Sequence, residues 1–140
     1  MAHAEISTRL AAPADSVWKH IGPFASVGNW HPTIDEVKCE NSGRGEVRTV
    51  ITTMGEERVE QLLEWNGPQR FYRYRMECGV LPVRDCVGEL RVIDNGDGSS
   101  TARWSSDFTV TSGDEATAVG AMRSFLRAGL DNLGQWYERA

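Results

Sequence analysis

Arg48 and Glu60 carry the sharpest chemical signal in this sequence of 140 residues. They lie equally far on either side of Met54, and Met54-Gly55 reads as a hairpin turn. A regular register therefore sets the two side chains opposite one another on neighbouring strands. Such a pair can steady the polar head of a ligand or polarise a carbonyl; it is equally the form of a structural ion pair. Tyr72 and Tyr74 stand two apart and share a face. A phenol there can donate to a ligand carbonyl, or simply pack, as tyrosine commonly does in sheets. His31, in Trp30-His31-Pro32, has the chemistry of a general base near its ordinary pKa of ~6.5, or of a hydrogen-bonded residue in a rigid corner. No Asp or Glu stands at a known motif spacing from it. Cys86 has no cationic neighbour of the kind that makes a nucleophile, and reads as a small buried hydrophobe. Candidate catalytic groups are thus Arg48, Glu60, Tyr74 and His31, with the catalytic set itself unassigned. The histidines (His3, His20, His31) form no HxxxH or HExxH pair, so no metal site is expected. The cysteines (Cys39, Cys78, Cys86) are odd in number and in no CxxC spacing, which suits reduced thiols in an intracellular chain.

The elements that must position these groups follow from periodicity. Ile6, Thr8 and Leu10 alternate with polar residues as a first strand over Glu5–Ala12. Pro13 and Asp15 then open a short helix carrying Val17, Trp18 and Ile21, ended by Gly22-Pro23, and Phe24 to Gly28 offers a second short helical segment. From Ile34 to Thr111, turn signals at Asn41-Ser42-Gly43, Met54-Gly55, Asn66-Gly67-Pro68, Gly79–Pro82 and Asn95–Gly98 divide six strands: 34–40, 46–53, 57–65, 70–77, 83–93 and 100–111. Ser112-Gly113-Asp114-Glu115 has the form of a capping box. Beyond it Met122, Phe125, Leu126, Gly129, Leu130, Leu133, Trp136 and Tyr137 mark one long amphipathic helix. Strand, short helices, six strands and long helix make an α+β chain in which a seven-stranded antiparallel sheet has one large helix to cover it.

Length suits a single domain spanning residues 1–140. A net charge of −5 argues against a nucleic-acid binder. No apolar run approaches the ~20 residues that span a bilayer, and residues 1–5 lack the form of a secretory signal. The expectation is a cytoplasmic protein without integral membrane association, monomeric or homodimeric.

The order of elements resembles the helix-grip fold of the START-like (SRPBCC, Bet v 1-like) superfamily, and within it the bacterial polyketide cyclase/dehydrase-type proteins, relatives of the plant abscisic-acid receptors. The resembling stretches are Ala12–Trp18, Asn29-Trp30-His31-Pro32, Gly45–Arg48, Leu81–Asp85 and Trp104–Phe108. The resemblance implies a curved sheet wrapped around the C-terminal helix, a deep pocket between them, small and largely apolar ligands (lipids, aromatic or polyketide-like molecules), and no obligatory cofactor. It departs from the hormone receptors at Asp35, where they carry a lysine, and at the tight Thr53–Glu56 turn, where they carry a gating loop.

Alternation gives each strand two faces, and the resemblance chooses the inward one. It puts Arg48, Val50 and Thr52 inward on one strand, Glu60 and Leu62 on the next, then Tyr72, Tyr74 and Met76. Cys86, Gly88 and Leu90 follow, then Trp104, Ser106 and Phe108, with Met122, Phe125 and Gly129 from the last helix. Arg48 and Glu60 are then expected to be the only fully charged inward residues, with the pocket open near Trp30–Pro32 and Val80-Leu81. Arg73 and Arg75 fall on the outer face. The implied function is binding of a small apolar molecule; the alternatives are a cyclase or dehydratase using the pocket's acid–base groups, and a chaperone-like module using the open sheet face.

Overall fold

Alternation of buried and exposed positions along the strands builds the sheet, and the turns fix its register. The structure, a computed structural model, describes residues 1–42, 45–76 and 82–138; Cys78 and Val80-Leu81 lie outside them. Strand β1 (Ala2–Leu10) is followed by helix α1 (Ala14–Ile21), then by a 3-10 turn (Phe24–Ser26) running into helix α2 (Val27–Trp30). Strands β2 (Ile34–Ser42), β3 (Gly45–Thr52), β4 (Glu57–Asn66), β5 (Phe71–Met76), β6 (Val83–Asp94) and β7 (Ser100–Val110) come next, and helix α3 (Glu115–Glu138) closes the order. The strands form one curved antiparallel sheet in the order β1-β7-β6-β5-β4-β3-β2. It is a meander from β2 to β7, with the first strand added beside the last. This is the expected helix-grip arrangement.

Gly55, at φ 83°, turns the chain between β3 and β4, a conformation a side chain rarely adopts. The resulting register pairs Arg48 with Glu60 and Val50 with Arg58. One irregularity matters for the site. Between Leu62 and Glu64 the β4–β5 register shifts, so that Trp65, and not Glu64, stands opposite Tyr72. The extra residue re-aims the rest of the strand. Trp65 thereby stacks on Trp18 at 5.4 Å and donates its indole N–H to the Gly22 carbonyl at 3.0 Å, which pins the end of α1 to the sheet.

Helix α3 buries Ala118, Met122, Leu126, Gly129, Leu130, Leu133 and Tyr137 and lies mainly over β1 and β7. Two expectations are corrected here. Trp136 lies off the buried stripe, 54% exposed, and stacks on His20 of α1 at 5.0 Å. The cap is Asp114 and not Ser112: the Asp114 carboxylate accepts from the backbone N–H of Thr117 at 3.2 Å and from its hydroxyl at 3.0 Å. Gly113, at φ 79°, bends the chain just ahead of it, so the first helical turn starts later than the Ser112–Glu115 pattern implies. Among the described residues no helix is long and apolar enough to cross a membrane.

Candidate functional site

Arg48 is 1% exposed and lies on β3, one strand in from the edge strand β2. Its Nε donates to a Glu60 carboxylate oxygen at 2.7 Å, and its Nη1 donates to the Phe24 carbonyl at 2.7 Å and to the Tyr72 hydroxyl at 3.2 Å. The guanidinium carbon lies 4.0 Å from the centre of the Phe24 ring and 4.9 Å from that of Tyr74. Burial works against its charge, but the oxygens of Tyr72 and Glu60 outweigh burial and hold its pKa above the ordinary value. A buried ion is tolerated when it is paired and its remaining protons are bonded. The Phe24 bond also ties the 3-10 turn to the sheet.

Tyr74 lies across β6 because position 88 is glycine: a Cβ there would overlap the Tyr74 ring. Its hydroxyl thus reaches β7 and accepts the Trp104 indole N–H at 2.9 Å. Indole and guanidinium can only donate, so the oxygens of Tyr74 and Tyr72 act as acceptors here and their own O–H groups remain available as donors. Burial raises the pKa of both phenols, which therefore stay protonated at neutral pH.

The aromatic floor continues under α3. Trp30 lies 5.2 Å from Trp104, ring centre to ring centre, and Gly129 permits the approach. A Cβ at 129 would come within 2.7 Å of His31, 2.9 Å of Trp104 and 3.0 Å of Trp30. Alanine usually stabilises a helix over glycine by up to ~1 kcal/mol. Here we expect Gly129→Ala to reverse that sign and cost ~1–3 kcal/mol through overpacking, read from chemical denaturation. Trp30 is 1% exposed, and its indole N–H is a buried donor with no acceptor among the described residues.

His31 is buried in the same layer. Its Nε2–H donates to the Phe125 carbonyl at 2.8 Å, and its Nδ1 accepts the Thr33 backbone N–H at 3.2 Å. Its ring stacks on Phe125 at 4.2 Å. Burial, with the Arg58 charge adding to it, lowers the pKa to about 4. The unfolded chain then binds the proton more readily, so stability is full above pH ~6.5 and falls as pH drops towards 4, by about 3 kcal/mol from this group. Comparing wild type with His31→Gln across that window isolates the contribution: the variant is expected to show a shallower acid loss.

The remaining residues expected on the inward face fall as follows. Val50, Thr52, Cys86, Leu90, Ser106, Phe108 and Met122 are buried. Leu62, Met76 and Phe125 are partly buried. Phe125 is therefore not the fully enclosed side chain whose truncation would cost ~3–5 kcal/mol. Burial raises the Cys86 thiol pKa, and its sulfur lies 3.1 Å from the Ser106 hydroxyl. Arg73 and Arg75 are exposed. Arg48 and Glu60 are not alone in carrying charge on this face. Arg58, two residues before Glu60, sets its guanidinium 4.4 Å from the Phe125 ring centre, and Glu46, two before Arg48, lines a cleft of about 440 Å³ with Pro23, Phe24, Ala25, Leu62 and Trp65. Parity along β4 and β3 contains both positions. The Trp30 donor has no such signal, because its isolation depends on what packs around it.

Comparison with known proteins agrees with this architecture. XoxI of Bacillus cereus superposes with a TM-score of 0.92 at 28% identity, covering 98% of this chain and 96% of its own. The ZhuI aromatase/cyclase of Streptomyces sp. R1128 gives 0.77 at 18% identity over 99% and 94%. One half of BexL, a di-domain aromatase/cyclase, gives 0.82 at 20% identity, covering 96% of this chain and 46% of that one. At these last two identities the likeness is one of fold. No curated protein matches the sequence. Residues 1–138 match the family described as polyketide cyclase/dehydrase and lipid transport, and the chain belongs to that family.

Proposed function

We propose that the protein binds a small, largely apolar molecule bearing an acceptor oxygen, held between the concave face of the sheet and α3. The observation that carries this reading is the Trp30 indole N–H, a buried donor without an acceptor among the described residues. Leaving such a donor unmet costs ~1–3 kcal/mol, which a ligand oxygen recovers. The free O–H groups of Tyr72 and Tyr74 add donors of the same kind. The expected ligand residues are Arg48, Val50, Glu60, Leu62, Tyr72, Tyr74, Met76, Cys86, Trp104, Ser106, Phe108, Met122 and Phe125.

The family supports a second reading, a cyclase or dehydratase. Acid–base work at neutral pH is best served by a group with a pKa near 7. His31 is pushed to about 4 with both nitrogens bonded, and the phenols are pushed upward. That distribution favours binding over acid–base catalysis. Native mass spectrometry of freshly purified protein tests the proposal: a retained small molecule is expected, with lower occupancy in Trp30→Phe. Apo mass alone under gentle ionisation, together with an unfolding midpoint unmoved by aromatic and fatty-acid probes, would overturn it.

A further inference from the structure

We infer that Arg58 makes this space selective for ligands with a negatively charged head on an apolar body. The inference rests on the binding reading above and adds a charge requirement to it. Arg58 stands opposite Val50 on the hairpin partner, with Glu60 next along the same face. Glu60 does not serve it: that carboxylate is committed to Arg48 at 2.7 Å. Of the other carboxylates of this parity, Glu46 lies four residues along β3 from Val50, roughly 13 Å away, and Glu56, opposite Thr52 at the hairpin turn, forms no ion pair with Arg58. Arg48 and Glu60 therefore cancel, and Arg58 is left as a half-buried cation with no carboxylate partner among the described residues.

Phe125 holds it in place. The phenyl ring stacks on His31 at 4.2 Å and lies under the Arg58 guanidinium at 4.4 Å, so β4, α3 and the segment after α2 meet at one stack. A guanidinium resting on an aromatic face spends none of its N–H groups, which lie in its own plane and can grip a carboxylate or sulfonate with two parallel bonds. The stack lies in the same layer as the Trp30 indole, whose neighbour His31 is 6.2 Å away, ring centre to ring centre. Arg58 and Trp30 are thus two donors, one charged and one neutral, with no acceptor assigned to either.

A pair of fluorescent probes that share an aromatic body and differ in charge tests this. 8-Anilinonaphthalene-1-sulfonate carries the anion, and N-phenyl-1-naphthylamine lacks it. Both are titrated into wild type, Arg58→Gln and Arg58→Lys at neutral pH and physiological salt. Arg58→Gln is expected to weaken the sulfonate probe roughly tenfold or more, as loss of a charged hydrogen bond implies. It should leave the neutral probe within about twofold, which also certifies the variant's fold, and Arg58→Lys should restore part of the loss. Equal weakening of both probes, or no change in either, overturns the charge selection while leaving the binding reading intact. Wild type that binds neither probe overturns both.

Discussion

Arg48→Ala is expected to lose ~3–5 kcal/mol of stability, read as a lower urea midpoint with an unchanged slope. The loss has two parts. Glu60, 6% exposed, would keep a carboxylate in an aromatic surrounding with its ion-pair partner gone. The Phe24 carbonyl would lose its donor, and with it the 3-10 turn loses its hold on the sheet. An attractive pair and a costly orphan are different quantities, and a double replacement separates them. Arg48→Met with Glu60→Leu removes both charges and keeps the volume, so it should recover most of the stability of wild type. A double variant as damaged as the single one would mean that the hydrogen bonds of Arg48 to the Phe24 carbonyl and the Tyr72 hydroxyl, and not the orphaned carboxylate, set the loss.

Trp104→Ala is expected to match it, at ~3–5 kcal/mol. Trp104 is 1% exposed and stands where three elements meet: Trp30 at 5.2 Å, His31 at 5.8 Å and Phe125 at 5.6 Å. Removing the indole leaves a cavity between β7 and α3 that Gly129, with no side chain, cannot fill. Trp104→Phe keeps most of the contact area and drops only the hydrogen bond to Tyr74, for which ~0.5–1.5 kcal/mol is the ordinary cost. Thermal or chemical unfolding of the two variants side by side reads the packing and the hydrogen bond separately.

The register of the Arg48–Glu60 hairpin was legible because a turn centred on Met54 leaves little freedom, and the structure keeps that pairing. The alternation of the strands was legible for the same local reason. Arg58 was also written in the alternation, since it shares parity with Glu60, yet charge on an inward position is easy to pass over when a neighbouring pair already explains the chemistry. The shift in β4 between Leu62 and Glu64 had no local mark, and it moved Trp65 to the inner side. The bond from Arg48 to the Phe24 carbonyl joins residues far apart in sequence with no periodic relation, and only the folded chain brings them together. Trp136 failed on the helix because a 3.6-residue repeat fixes a stripe without fixing its width, and α1 offered the indole a partner outside it.

The pairing of the first strand with the last has a consequence for synthesis. Ala2 pairs with Phe108, and Leu10 with Ser100, so β1 leaves the ribosome long before its neighbour in the sheet, β7, exists. At ordinary translation rates that wait is roughly 5–20 s. The meander from β2 to β7 can zip up hairpin by hairpin as it emerges, whereas β1 and its covering helix α3 must be added from opposite ends of the chain. During that interval the inward residues Ile6 and Leu10 of β1 and the growing edge of the meander stand open to other chains. Crowded polysomes are where this protein is most exposed to misassociation, and a holdase acting on the nascent N-terminal strand is where cellular help would count most.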